Sequence, residues 1–204
     1  MWQFLKDGGP VMFLLVPTSI IGLTFIIERG LALRWKKVIP PDVEKALDLC
    51  RTRQDIGMLQ GICRQQPSAL SRLLLIALEH LSWPKEENAD AIQTRARHEI
   101  AQMERGLVIV EIVVGIAPLL GLVGTITGLI GLFSGLSRTG LSDNSVVAHG
   151  ISVALNTTLT GLLIAIPALI SWSYYSKKVE TLAIELETLC DGFLRRLYLR
   201  DQKD

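Results

Sequence analysis

Residues 112–136 read IVVGIAPLLGLVGTITGLIGLFSGL and contain no charged side chain. A helix of roughly 20 apolar residues crosses the hydrocarbon core of a bilayer, so this stretch is long enough to span a membrane. Residues 10–27 and 145–176 lack Asp, Glu, Lys and Arg over comparable lengths. The sequence therefore predicts three transmembrane helices.

The composition is that of a membrane protein with a substantial polar part. Of the 204 residues, 49% are hydrophobic and the mean hydropathy is +0.37, yet 21 basic and 20 acidic residues give a net charge of +1. Proteins that bind nucleic acids carry a basic excess that replaces phosphate counterions. The balanced charge argues against that class.

The positions of Lys and Arg predict the orientation. Lys6 and Arg138 fall on one side of the predicted spans, and the other 19 of the 21 basic residues fall on the opposite side. Basic flanks are retained on the cytoplasmic side, so we expect the N-terminus outside and the C-terminus in the cytoplasm. Cys50, Cys63 and Cys190 then lie in a reducing compartment, where we expect buried, unpaired thiols.

The expected fold is an all-α membrane protein whose long helices extend into a cytoplasmic helical bundle. Apolar residues at three- and four-residue spacing predict helices between the first two spans, and a similar stripe continues the third helix from Val179 to Leu197. No helix breaker lies between Pro84 and Gly106, so we expect one helix from about Ala89 into the second span. The predicted segments are an outer N-terminal segment (1–9), transmembrane helix 1 (10–28), a cytoplasmic helical region (29–106), transmembrane helix 2 (107–136), an outer loop (137–144), transmembrane helix 3 (145–176) and a cytoplasmic C-terminal helix (177–204).

Small residues line one face of the second and third predicted spans. Such faces let helix backbones approach closely in lipid. They serve either packing within one chain or association between copies, and we favour association because a three-helix monomer buries few such faces. The two stripes are Ala117, Gly121, Gly124, Gly128, Gly131 and Gly135, and Gly150, Ala154, Thr158, Gly161, Ala165 and Ala168.

Polar side chains within the spans are the candidate ion ligands. Thr125 lies beside the glycine stripe, and four polar residues fall within five positions of the third span. Their oxygens are suited to a dehydrated cation, which an apolar wall cannot bind. A membrane threonine often bonds only the carbonyl one turn back, and this interpretation stays open for Thr127 and Thr160. The four residues are Asn156, Thr157, Thr158 and Thr160.

No Asp, Glu, His, Lys or Arg lies in the middle of any predicted span. Proton-coupled membrane proteins normally need an ionisable group there, so a partner must supply the titrating carboxylate if the chain conducts protons. His149 falls at the outer mouth of the third span, and we add the hypothesis that it senses the external pH.

Two motifs resemble the MotA/TolQ/ExbB proton-channel family. Residues 117–133, APLLGLVGTITGLIGLF, and residues 154–169, ALNTTLTGLLIAIPAL, are similar to its second-helix and third-helix segments. Three spans place the chain closer to ExbB and TolQ than to four-span MotA-like members. The resemblance implies a bacterial inner-membrane homopentamer around the single helices of two ExbD/TolR-like partners, each carrying a membrane aspartate.

The resemblance also implies the site residues. Thr125 and Thr158 match threonines that line the ion's route, with Thr157 and Asn156 beside them. No cofactor and no resident metal are implied. The expected pore-lining and helix-packing residues are Pro118, Gly121, Gly124, Gly128, Ala154, Gly161, Ala165 and Pro167.

The chain departs from the family pattern in two ways. Val153 stands where ExbB and TolQ typically have a glutamate. The Thr157 and Thr158 pair with Asn156 resembles the doubled threonine of sodium-driven stators, so transient sodium at Thr125, Thr157 and Thr158 remains an alternative to the proton.

A scaffold and an enzyme are the alternatives to a channel subunit. A non-conducting oligomeric scaffold would use the same small-residue faces without an ion route. An enzyme is disfavoured because the sequence shows no nucleophile with its base, metal cluster or phosphate loop, and His80 and His98 fall in helical stretches. The preferred interpretation is the channel subunit of an ion-driven motor that powers a cell-envelope process.

Overall fold

The computed structural model describes residues 9–50, 55–139 and 144–201, and the elements in these ranges are α-helices. The predicted all-α class is therefore confirmed for this part of the chain. The helices are α1 (Met12–Ala32), α2 (Trp35–Val38), α3 (Pro41–Leu49), α4 (Ile56–Gln65), α5 (Ala69–Glu79), α6 (Lys85–Glu104), α7 (Leu107–Thr139) and α8 (Asn144–Asp201).

Three of the helices have apolar stretches long enough to cross a membrane, as the sequence predicts. These stretches are Met12–Ala32, Leu107–Ser137 and Val147–Tyr198. Large apolar side chains on them point outward: Phe13 is 80% exposed and Ile170 is 65% exposed. Such exposure suits lipid or further protein rather than water. The sides on which the termini lie and the segment boundaries stay predictions.

The helix expected to run unbroken into the second span is interrupted. The helix begins at Lys85, directly after Pro84, and α6 ends at Glu104 before α7 begins at Leu107. Arg105 and Gly106 form a turn between them. Glycine is among the weakest helix formers, so Gly106 lowers the cost of a break at this point. The continuous helix predicted for α8 is confirmed, with its stripe from Val179 to Leu197 largely buried.

The chain forms two units, each with its own core. The first contains the chain up to Glu28 together with Gly106–Tyr174, and the second contains Arg29–Arg105 together with the chain from Tyr175. The first unit therefore holds most of the candidate membrane helices. Its core joins α1, α7 and α8 in two clusters, one around Met12, Leu15, Leu120 and Ile164 and one around Phe25, Val113, Ala168 and Trp172.

Glycines allow α7 and α8 to touch backbone to backbone. A Cβ atom on Gly124 would lie 2.4 Å from the Thr157 Cβ, and one on Gly161 would lie 2.6 Å from the Ala117 carbonyl oxygen. A Cβ atom on Gly128 would lie 3.0 Å from a backbone nitrogen of α8. No side chain fits at these positions without separating the helices.

These contacts account for several glycines of the stripes without association between copies. They lie within one chain, so the glycines at the contact give no support for self-association, which stays a prediction. Gly131 differs, because a Cβ atom there would meet nothing within 4 Å.

Gly124→Ala should destabilise the first unit by about 1–3 kcal/mol, since the added methyl group overlaps Thr157. Thermal unfolding in detergent measures the change. Gly131→Ala is the matched control and should be neutral or stabilising, because alanine favours helix and has room there. Equal melting temperatures for the two variants would contradict the packing described.

The second unit has a conventional apolar interior. Cys50, Cys63 and Cys190 are buried and unpaired, as expected. Burial raises the pKa of the Cys63 thiol to about 11 and that of Cys190 to about 12. These thiols are protonated at neutral pH and behave as small apolar residues.

A buried amide joins three helices of the second unit. Asn88 of α6 donates from Nδ2 to the Ala77 carbonyl oxygen and to the Tyr198 hydroxyl oxygen, both at 3.0 Å. Tyr198 in turn donates to the Trp83 carbonyl oxygen at 2.9 Å. Elements far apart in sequence are thereby fixed to one another.

A buried carboxylate lies between two arginines in the same unit. Glu99 is 1% exposed, and its Oε1 accepts from Arg72 Nε at 2.7 Å and pairs with Arg95 Nη2 at 2.9 Å. Burial raises the pKa of Glu99, but the hydrogen bonds and charge of Arg72, aided by Arg95, outweigh burial and lower it. Glu99 is therefore ionised at neutral pH.

Glu99→Gln should lower the free energy of unfolding at pH 7 by about 1–2 kcal/mol. This value lies between those for exposed and for fully buried ion pairs, because the two arginine side chains are 39% and 34% exposed and can be hydrated. Because the pKa of Glu99 is lowered in the folded state, the ion pair stabilises the protein at pH values above the unfolded-state pKa of about 4.3. This stability is lost as the pH falls from that value through the folded-state pKa.

Circular dichroism melts between pH 3 and 7 test this expectation. The wild-type chain should lose more stability on acidification than Glu99→Gln, while exposed Glu187→Gln should follow the wild type. Parallel curves for wild type and Glu99→Gln would show that Glu99 does not contribute in this way.

Candidate functional site

The hydroxyl groups of Thr125 on α7 and Thr158 on α8 are hydrogen-bonded to each other. The Thr125 Oγ1 lies 3.2 Å from the carbonyl oxygens of both Gly121 and Ala154. The Thr158 Oγ1 lies 3.3 Å from the first of these carbonyl oxygens and 3.2 Å from the second. Four oxygen atoms therefore meet between the two helices.

The arrangement follows from helix geometry and from the glycines. Gly121 and Ala154 each precede their threonine by four residues, so each carbonyl points along its helix toward the following hydroxyl. Backbone contact between α7 and α8 then brings each hydroxyl within reach of the carbonyl on the neighbouring helix. Sequence patterns mark the side chains of this cluster, but they do not mark its two backbone oxygens.

The cluster combines donors and acceptors without a formal charge. Each hydroxyl carries one proton and can both donate and accept, whereas the carbonyl oxygens only accept. Thr125 and Thr158 are both half-buried. Within the described residues no three His, Cys, Asp or Glu side chains form a metal-binding group. The four oxygens can thus donate to, or accept from, a polar or charged guest.

The other two residues predicted to line the ion's route, Thr157 and Asn156, do not hydrogen-bond to Thr125 or Thr158 in the described contacts. Thr157 is fully buried, and its hydroxyl donates to the carbonyl oxygens of Val153 and Ala154 at 3.0 Å each. Asn156 is half-buried, and its Nδ2 lies 3.4 Å from the Ser152 Oγ. The Ala154 carbonyl oxygen is the one that Thr125 and Thr158 also contact, and any role of Thr157 and Asn156 in the ion pathway stays a prediction.

The remaining threonines and the predicted packing positions also have definite places. Thr127 donates to the Gly124 carbonyl at 3.0 Å and Thr160 to the Asn156 carbonyl at 2.7 Å, so each bonds its own helix. Pro118 and Pro167 lie inside α7 and α8, where each removes one backbone donor. Ala154 and Ala165 are buried, while Gly121 and Gly161 lie in the contact between the helices.

Comparison with known proteins agrees with this architecture. The sequence model of the MotA/TolQ/ExbB proton channel family matches residues 65–188, which include both motifs. The biopolymer transport protein ExbB-like 1 of Synechocystis sp. is 36% identical over 174 residues, covering 82% of this chain and 67% of that protein. The Tol-Pal system protein TolQ of Pseudomonas aeruginosa is 28% identical over 208 residues, covering 95% of this chain and 90% of that protein.

A third relative is named as an ExbB homolog. The biopolymer transport protein ExbB homolog of Methanothermobacter thermautotrophicus is 28% identical over 181 residues, which cover 87% of this chain and 63% of that relative. The family match extends over more than half of the chain, and the three apolar helices indicate an inner-membrane protein. On this evidence, the chain belongs to the MotA/TolQ/ExbB proton channel family.

Proposed function

We propose that the chain is the channel-forming subunit of an ion-driven motor that energises a cell-envelope process through an ExbD/TolR-like partner. The contact between Thr125 and Thr158 carries the proposal, because it places hydrogen-bonding oxygens between two apolar helices of a channel family. The biopolymer transport and Tol-Pal names of the relatives support a role in the envelope.

The proposed assembly is a homopentamer around two partner helices, each with a membrane aspartate. Support comes from the family resemblance and from the large apolar side chains that α1, α7 and α8 leave exposed. The proposed topology has the N-terminus outside and the C-terminus in the cytoplasm, because 19 of the 21 basic residues then lie inside.

The proposed mechanism uses the threonine pair as a contact for the partner's carboxyl group. A carboxylate in hydrocarbon is costly unless it is protonated or hydrogen-bonded. A threonine hydroxyl donates a hydrogen bond to the ionised carboxylate. Once the carboxylate has taken up a proton, the same hydroxyl accepts a hydrogen bond from the carboxylic acid. The pair therefore stabilises both protonation states as the carboxyl group binds a proton from one side and releases it to the other.

The proposed ion is the proton. The description of the matching family as proton channels supports this choice. Transport that stops in sodium-free buffer would instead favour sodium.

The composition of the complex tests the assembly. The chain is co-expressed with the membrane protein encoded beside it, and the purified complex is weighed by native mass spectrometry. We expect five copies of this chain with two copies of a single-span partner that carries a membrane aspartate. A partner-free oligomer of another size would favour the non-conducting scaffold.

Thr158→Val tests the ion route, since valine has a similar volume but no hydroxyl. We expect proton flux in proteoliposomes to fall about tenfold or more, as loss of a hydrogen bond to a charged group predicts, with assembly intact. Thr24→Val is the matched control, because that hydroxyl donates at 2.7 Å to the Ile20 carbonyl of α1. Wild-type flux in Thr158→Val would support the scaffold instead.

A further inference from the structure

A cavity of about 520 Å³ lies between α7 and α8, near the end of α7 and the beginning of α8. Gly131 contributes to this space, since a Cβ atom on it would meet no atom within 4 Å, whereas Gly128 and Gly150 lie in close contacts between the helices. Polar groups line part of it, namely the side chains of Thr127, Ser145 and His149. The lining is mostly apolar, and a cavity of this volume has room for several water molecules around these polar groups.

His149 is the titratable side chain in the lining of this cavity. It is exposed and lies one helical turn from Ser145 on one side and from Val153 on the other, so the three share a face of α8. The other lining residues, which come from α7, α8 and Pro10, carry no side chain that titrates. Imidazole is the side chain that ordinarily changes charge between pH 5 and 8.

One end of the cavity lies next to the α7–α8 contact that holds the threonine pair, although Thr125, Thr158 and Ala154 do not line the cavity themselves. Gly128 and Val153 line it, and a Cβ atom on Gly128 would lie 3.2 Å from the Ala154 Cα. The Ala154 carbonyl oxygen is the one that Thr125 and Thr158 both contact. His149 and Ala154 are five positions apart in the sequence, which corresponds to about 7.5 Å along the helix axis.

We propose that His149 is the proton-accepting group of an entry cavity on the outer side of the membrane. An imidazole nitrogen binds a proton from external water and releases it to water in the cavity, next to the threonine pair and the partner's carboxyl group. The inference rests on the proposed function and its topology, and it adds the group through which the proton enters.

The test uses the complex with its partner in proteoliposomes, with the pH varied only on the side that carries the N-terminus. The wild-type flux should change with external pH between 5 and 8. His149→Gln should lower the flux about tenfold and remove this dependence. His98→Gln is the matched control and should keep the wild-type profile, because His98 lies in the second unit beside Gln102.

A second variant separates a titrating role from a structural one. Val153 lines the same cavity, so His149→Gln combined with Val153→Glu places a carboxyl group in the same water. We expect this double variant to regain flux, with its pH dependence shifted to lower pH because carboxyl groups titrate below imidazole.

The outcomes distinguish this inference from the proposed function. If the His149→Gln complex conducts at the wild-type rate with the wild-type pH profile, the role of His149 is overturned while the proposed function stands. Failure of the double variant to regain flux would also overturn it. A correctly assembled wild-type complex that conducts no protons would overturn the proposed function and this inference with it.

Discussion

The close approach of α7 and α8 is the constraint on which the candidate site depends. In hydrocarbon no water competes for polar groups, and helices associate through dispersion contacts and hydrogen bonds between them. Gly124 and Gly161 permit that contact because each faces atoms of the neighbouring helix that exclude a Cβ. The contact in turn sets Thr125 and Thr158 side by side, each within reach of a carbonyl of the other helix. A wider separation would leave each hydroxyl bonded only to its own helix, as in Thr160.

The two units differ in how far their large apolar side chains are exposed. In the first, Phe13 is 80% exposed, which is favourable only against lipid or protein. In the second, Phe193 is fully buried, as in a water-soluble protein. Charged groups are divided in the same way, since Glu99 is buried with paired arginines in the second unit, while the spans lack such residues in their middle. The partition explains how a strongly apolar chain carries so many charges.

Much of the fold could be predicted because membrane spans have a simple signal, a charge-free stretch of sufficient length. The stripe from Val179 to Leu197 was equally informative, since its spacing has one structural meaning. The break at Gly106 was not predicted, because a helical glycine costs only about 1 kcal/mol and packing decides the outcome. The partners of Glu99 were also not predictable, since they come from separate helices.

The site was only partly predictable from sequence. Thr157 and Thr158 are neighbours with the same side chain, yet one packs against Gly124 while the other reaches Thr125. Only the rotation of α8 against α7 separates their roles. Small-residue stripes suit packing within or between chains equally well, so the sequence could not distinguish these uses. The cavity beside His149 is lined by residues from separate segments of the chain, which no single motif describes.

The four-oxygen cluster has nearly the same surroundings seen from either helix. Each hydroxyl has one carbonyl on its own helix and one on the neighbour, at distances between 3.2 and 3.3 Å. Rotation of the two O–H bonds can therefore exchange donor and acceptor without displacing a heavy atom. A contact of this kind has no intrinsic polarity. In the proposed motor, the direction of ion transfer would then be set by the electrochemical gradient. A reversed gradient would drive ions through the same site in the opposite direction.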